Sequence, residues 1–146
     1  MPAIWRLTPR QNIAAECQQR GKPAVVSGCI DLLQGRPGVD DTLVLALGGP
    51  PAQDVLGGYA GGKAGYWPRV WAARGLLHAW DNRATAAIIQ ATTDDAWRVR
   101  EMAAKVIARH RIGVAFTAVA ELRNDQVPRV RAAAERATVI LTASGT

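Results

Sequence analysis

The stretch DDAWRVREMAAKVIARH, residues 94–110, recurs with changes as DQVPRVRAAAERATVIL, residues 125–141. In each stretch an Asp stands five residues before a Val-Arg pair, and an alanine-rich run follows that pair. Aligning Val99 with Val130, and both with Val70 in an earlier stretch, gives intervals of 29 and 31 residues. A period of about 30 residues is typical of stacked helical pairs.

The aligned helices share one apolar face. Apolar residues follow each aligned valine three and seven positions later, which is the spacing of one side of a helix. These are Ala73 and Leu77, Met102 and Val106, and Ala133 and Ala137. Small residues on such a face let helices approach to roughly 8–10 Å. Because one pair of helices cannot bury this face alone, the pattern predicts that successive pairs stack.

The two well-matched stretches resemble the HEAT repeat in its short bacterial form, which is also seen in the phycobilin-lyase-like class. In that family an Asp between the two helices stands six positions before the Arg of a Val-Arg pair. Asp94 precedes Arg100 by six positions, and Asp125 precedes Arg131 by six. The resemblance implies that these four residues form a structural ladder that ties one repeat to the next.

The fold implied by this resemblance is all-α, a right-handed α-solenoid of about four HEAT-like antiparallel helix pairs in a single domain, 1–146. The resemblance is clear over residues 66–142, although Gly65 and Trp71 replace the Asp and Arg in the earliest aligned unit. We place the pairs at roughly 9–35, 40–80, 82–110 and 112–142, with a glycine-rich loop at 57–65.

Helix signals dominate the chain, and strand signals are weak. Thr8 is the predicted N-cap of the first helix, Pro9 its first residue and Gly21 its end. Asp94 or Asp95 is the predicted cap of the helix over 96–110. The further predicted helices span about 23–34, 67–80, 83–92, 113–123 and 127–142, and the one over 67–80 carries Trp67, Trp71 and Trp80.

The charge of the chain is uneven. The net charge is +6, and residues 97–146 hold nine Lys or Arg against four Asp or Glu. A basic half favours a polyanion or an acidic partner. The alternative is a solvated, arginine-rich surface that binds nothing specific.

A column of basic residues is the main candidate site. Arg69, Arg98 and Arg129 each precede an aligned valine and so lie about 100° from it round the helix. The resemblance implies that the second helix of each pair lines a concave binding surface. Tryptophan and arginine are favoured anchors in interfaces, although the tryptophans could equally fill gaps in the core. The candidate partner-binding residues are Arg69, Arg98, Arg129, Lys105, Arg109, Arg136, Trp67, Trp71 and Trp97.

No pattern in the sequence indicates catalysis. Residues 57–63 fit G-x-x-x-x-G-K, but Ala64 stands where a phosphate-binding loop needs Ser or Thr. Ala79 follows His78 and Arg111 follows His110, so the His-Glu pairs of a HEAT-like hydroxylase family are absent. We expect no catalytic residue, no metal and no cofactor.

The location of the protein is expected to be cytoplasmic. The N-terminal MPAIWRLTPR lacks the apolar run of a signal peptide, and no run approaches the ~20 apolar residues of a membrane helix. Cys17 and Cys29 are too few for a disulfide framework and fit a reducing compartment. We expect no membrane partner. An apolar edge on the last helix makes self-association a candidate.

The function that these features favour is that of a non-catalytic scaffold, with a protein or acidic peptide as partner. A nucleic-acid-binding protein is the first alternative, because HEAT-like alkylpurine DNA glycosylases use a cationic groove with Trp and Asp. No catalytic Asp of those enzymes can be matched to this chain. A role in cofactor attachment, by resemblance to the phycobilin-lyase-like class, is the second alternative and rests on fold alone.

Overall fold

The computed structural model describes residues 7–144, which form helices and turns and contain no strand, so the all-α prediction is confirmed. The predictions made for the N-terminal MPAIWR lie outside this range. The α-helices are α1 (Pro9–Arg20), α2 (Lys22–Leu33), α3 (Asp41–Gly48), α4 (Pro51–Leu56), α5 (Tyr66–His78), α6 (Thr85–Ala91), α7 (Trp97–His110), α8 (Phe116–Glu121) and α9 (Pro128–Ser144). The chain divides into two compact units, within residues 1–84 and 85–146.

The first unit is built on α2, which packs against α1 and α5, while α3 also packs against α1 and α5. Its interior holds fully buried aliphatic side chains, among them Ile13, Val25 and Leu76. Helix α1 begins as predicted. Thr8 Oγ1 accepts a hydrogen bond from Gln11 N at 3.2 Å, and Gln11 Oε1 accepts one from Thr8 N at 2.9 Å. This reciprocal capping satisfies two amides that the helix itself leaves without partners.

The glycine-rich segment contains no α-helix, in agreement with the predicted loop. Residues Tyr59–Ala64 form a distorted 3₁₀ turn in which Ala60 has a positive φ of 53°. Lys63 Nζ donates to Val39 O and to Asp41 Oδ1, both at 2.7 Å. The lysine of the G-x-x-x-x-G-K pattern is thus bound to a carboxylate of its own unit.

Helix α5 ends two residues earlier than predicted. Its last residue is His78, and Ala79 follows with extended backbone angles (φ −131°, ψ 102°). Asp81 Oδ1 accepts a hydrogen bond from Arg83 N at 3.0 Å, which opens the next turn, so the chain leaves the helix before residue 81. Trp80 therefore lies outside the helix that carries Trp67 and Trp71, and the prediction of a shared helix is wrong for it.

The second unit consists of α6 to α9, with α7 packed against α9, α6 against α7 and α8 against α9. The aligned Val99 and Val130 are both 0% exposed, and Val106 and Ala137 are also fully buried. The apolar face predicted from the repeat is therefore the face on which these helices pack. Among the described residues, no helix combines the length and the apolarity that crossing a bilayer requires.

Two of the predicted helices, over 83–92 and 113–123, each begin with a 3₁₀ turn. The segment predicted as a helix over 83–92 is a 3₁₀ turn, Asn82–Ala84, followed by α6. The segment predicted over 113–123 is a 3₁₀ turn, Gly113–Ala115, followed by α8 and a second 3₁₀ turn, Leu122–Asn124. Short 3₁₀ turns are common at helix ends because they bind terminal amides and carbonyls that would otherwise lack partners.

The predicted Asp cap acts one turn before the helix. Helix α7 begins at Trp97, and Asp94 Oδ1 accepts a hydrogen bond from Ala96 N at 2.9 Å. Asp125 Oδ1 accepts from Val127 N, also at 2.9 Å, just before α9. Each carboxylate binds the amide two residues further along the chain. It therefore stabilises the turn that precedes the helix and not the first turn of the helix itself.

Candidate partner-binding surface

The start of α7 carries an indole with two guanidinium groups over it. The Cζ atom of Arg98 lies 4.4 Å from the centroid of the Trp97 ring, and that of Arg129 lies 5.3 Å away. Arg129 is the second residue of α9, and the packing of α9 on α7 brings it to this position. Cations within about 6 Å of an indole face are attracted by its negative potential. These residues therefore form one electrostatic unit.

A nearly buried carboxylate holds this unit together. The side chain of Glu101 is 9% exposed, accepts a hydrogen bond from Arg129 Nε at 3.0 Å and lies 3.7 Å from Lys105 Nζ. A carboxylate removed from water needs such partners. The Arg129 side chain is still 67% exposed. We call Trp97, Arg98, Glu101, Lys105 and Arg129 the Trp97 cluster.

The charge around the cluster is positive. Its three cations exceed its single carboxylate, which leaves a net charge of +2. Exposed Arg109 lies on α7, four residues after Lys105, and exposed Arg136 lies on α9, seven residues after Arg129. Helical spacings of four and seven place these arginines on the faces that carry the cluster. The surface is therefore suited to an anionic partner.

The other three predicted partner-binding residues belong to the first unit. The rings of Trp67 and Trp71 are stacked, with centroids 6.1 Å apart and planes 25° apart. Trp71 is only 4% exposed, so its indole packs inside the unit and is not presented on an open surface. Arg69 Nη1 donates to Gly65 O at 3.2 Å, just before α5.

The predicted ladder residues are brought together in the second unit. Arg100 donates from Nε to Asp125 Oδ2 at 2.8 Å and from Nη2 to Asp125 Oδ1 at 3.2 Å. The two side chains are 18% and 8% exposed. The Arg100 hydrogen bonds, with that of the Val127 amide, lower the pKa of the Asp125 carboxyl. This two-point contact links the entry of α7 to the entry of α9.

Both arginines of the ladder also bind the backbone of their own turns. Arg100 Nη1 donates to Asp94 O at 2.8 Å and to Asp95 O at 3.0 Å. Arg131 Nη1 donates to Asp125 O at 2.8 Å and to Gln126 O at 3.2 Å. The six-residue spacing thus gives the same hydrogen-bond pattern twice, 31 residues apart in sequence.

The structure gives Glu101 and Arg74 roles beyond those that the sequence indicated. The pair of Glu101 with Lys105 is visible as an i,i+4 spacing, but the bond from Arg129 joins positions 28 residues apart. Arg74 lies three residues after Trp71 and seven after Trp67, so helical spacing alone could have placed it beside both tryptophans. The packing of the helices was needed to show what surrounds it.

Two further features concern carboxylate, histidine and cysteine side chains. Within residues 7–144 no group of three or more His, Cys, Asp or Glu side chains could hold a metal ion. Burial, with a smaller contribution from Cys17, raises the pKa of the Cys29 thiol to about 12. A thiol with such a pKa is almost wholly protonated at neutral pH and is a poor nucleophile.

No known protein family, curated protein or solved structure matches this chain. The function is therefore inferred from the geometry of its own residues.

Proposed function

We propose that the protein is a non-catalytic scaffold of HEAT-like repeats that binds an acidic segment of a partner protein through the Trp97 cluster. The finer fold we propose is a right-handed α-solenoid of about four helix pairs. The repeated turn geometry supports it, since Asp94 with Arg100 and Asp125 with Arg131 make matching bonds at the entries of α7 and α9. The same hydrogen-bond pattern before α7 and α9 favours a repeated unit that stacks on the next.

The observation that carries the binding proposal is the position of the Arg98 and Arg129 guanidinium groups over Trp97. Contact with Glu101 and the indole restricts the Arg129 side chain, although it remains 67% exposed. Less conformational entropy is then lost when it binds a partner. Guanidinium groups bind carboxylates through two parallel hydrogen bonds, and Trp with Arg is a frequent combination in interface hot spots.

The same geometry favours an acidic peptide over a single-stranded nucleic acid. Proteins that bind single strands stack bases on aromatic rings that are open to the ligand. Here two guanidinium groups lie over the Trp97 ring and compete with a base for it. A carboxylate can bind those guanidinium groups where they are. Phosphate contacts alone remain the alternative to be separated by experiment.

The test compares two labelled anions of equal length, a poly-glutamate peptide and an oligothymidylate, by fluorescence anisotropy at about 0.15 M salt. We expect the peptide to bind more tightly. Replacing both guanidinium groups, in Arg98→Gln/Arg129→Gln, should weaken peptide binding tenfold or more, or about 1.4 kcal/mol.

The matched control is Arg111→Gln/Arg123→Gln, which removes the same charge from two exposed positions outside the cluster. It should change peptide affinity by less than twofold. Equal losses in both double variants would reduce the interaction to non-specific charge attraction. Tighter binding of the oligothymidylate, with a steep fall as salt rises, would show that the protein binds nucleic acid and would overturn the proposal.

A further inference from the structure

The first unit contains a cavity of about 350 Å³ between the α3–α4 region and α5. This volume lies within the ~300–1,000 Å³ typical of small-molecule sites. The side chains that define its chemistry are Pro51, Asp54, Tyr59, Trp67, Trp71 and Arg74. All of them belong to one unit, and none belongs to the Trp97 cluster, so the cavity is a separate feature.

Aromatic rings form much of the cavity wall. Trp67 and Trp71 lie side by side, with ring planes 25° apart, and Tyr59 is 68% exposed at the same cavity. Trp71 packs against Gly48 so closely that a Cβ atom at that position would lie 2.6 Å from the indole Cε3. A glycine is therefore needed for the indole to occupy this place. Such walls suit a flat apolar ligand.

Arg74 adds a positive charge that has no ion-pair partner within residues 7–144. Its Nη2 donates to Leu47 O at 2.6 Å, while its buried Nε has no hydrogen-bond partner among the described residues. Asp54 borders the same cavity, but within the described part of the chain Asp54 and Arg74 make no ion pair. Burial lowers the pKa of the Arg74 guanidinium. A cation withdrawn from water with no anion is costly, and a bound anion would offset that cost.

We infer that this cavity binds a small planar aromatic carboxylate. The ligand carboxylate binds the Arg74 guanidinium, and the ring lies mainly against Trp67, because Trp71 is only 4% exposed. The carbonyl of Leu47 holds the guanidinium from the side of α3, so the charge is positioned before the ligand arrives. This site is independent of the proposed acidic-peptide surface, and either can fail without the other.

The test uses 4-fluorobenzoate as the probe, with ¹⁹F line broadening and isothermal titration on the full chain. The neutral control of matching shape is 4-fluorobenzyl alcohol, and cyclohexanecarboxylate is the control for the flat ring. We expect 4-fluorobenzoate to bind with a Kd of about 1 mM or tighter, which is reasonable for so small a ligand. Both controls should bind at least fivefold more weakly.

The variant Arg74→Met removes the charge but keeps a flexible apolar stem, and should weaken 4-fluorobenzoate tenfold or more. The variant removes the buried Nε that lacks a partner, which favours stability, and also the bond to Leu47 O, which opposes it. We therefore expect a Tm close to that of the parent, and thermal unfolding will show that the variant is folded. Arg10→Met is the control for loss of one exposed charge and should leave binding unchanged.

A second variant tests the site while keeping Arg74. Asp54→Asn removes a negative charge from the cavity and should tighten 4-fluorobenzoate at least twofold. The inference is overturned if no binding of 4-fluorobenzoate is detected at about 10 mM, because the binding free energy would then be weaker than ~3 kcal/mol. It is equally overturned if the alcohol binds as well as the carboxylate, or if Arg74→Met leaves affinity unchanged.

Discussion

The bond between Arg100 and Asp125 links the entries of α7 and α9, and Asp125→Ala removes it. The variant loses two hydrogen bonds from the guanidinium, at 2.8 and 3.2 Å, and one from the Val127 amide at 2.9 Å. Loss of the hydrogen bond between the carboxylate and the Val127 amide costs about 1 kcal/mol. The Arg100 side chain is 18% exposed and that of Asp125 is 8% exposed. Because solvent still reaches Arg100, we take the loss of this ion pair to cost about a further 1.5 kcal/mol.

The expected loss in the free energy of unfolding is therefore about 2.5 kcal/mol, or about 10 °C in Tm for a chain of this size. Urea denaturation followed by circular dichroism measures it directly. The control is Asp95→Ala, which removes an exposed carboxylate from the turn before α7 and should cost less than about 0.5 kcal/mol.

A double-mutant cycle isolates the pair itself. Asp125→Ala, Arg100→Ala and the double variant should give a coupling free energy of about 1.5 kcal/mol. Arg100→Ala alone also removes the bonds to the Asp94 and Asp95 carbonyls, which the cycle subtracts. A coupling below about 0.5 kcal/mol would refute the view that this contact ties the two helix entries together.

Three further predictions concern pH, packing and thiol reactivity. Because Arg100 lowers the pKa of Asp125, the stability that this pair supplies is complete above the ordinary Asp pKa of about 4 and is lost as pH falls through the lowered value. The urea midpoints of the parent and Asp125→Ala should therefore approach each other as the pH falls below about 4. Gly48→Ala should lower the unfolding free energy by about 1–3 kcal/mol, since its new methyl group would meet the Trp71 ring, and an unchanged Tm would contradict that contact. At pH 8 iodoacetamide should modify Cys17, which is partly exposed, well before the buried Cys29, and mass spectrometry of the native and urea-unfolded protein will show whether the order holds.

Features that depend on neighbouring residues were predictable. Thr8 caps α1 through Gln11 because both lie within one turn of the chain. Val99 and Val130 are buried because offsets of three and seven place apolar residues on one side of any helix. The end of α5 before Ala79 and the 3₁₀ turns within 113–123 were not predicted. At these places a hydrogen bond to an Asp carboxylate or a 3₁₀ turn differs little in free energy from continued helix, so spacing along the chain does not decide between them.

The sequence proposed most residues of the Trp97 cluster but not their pairing, and it grouped them with Arg69, Trp67 and Trp71, which belong to the first unit. Regular spacing placed Arg98 and Arg129 at equivalent positions, but their shared contact with Trp97 exists only because α9 packs on α7. Glu101 was visible as a partner of Lys105, while its bond to Arg129 required that packing.

The sequence by itself determined that this protein is helical, where its main core face lies and which spacing recurs before α7 and α9. Those properties follow from backbone preference and from side-chain period, which act over a few residues. Tertiary structure alone decided that Arg100 meets Asp125 and that Trp71 is enclosed against Gly48. It also decided that Arg74 borders a cavity with no counter-ion from the described part of the chain. These contacts join residues 23 to 27 positions apart, and their geometry is set only when the helices pack.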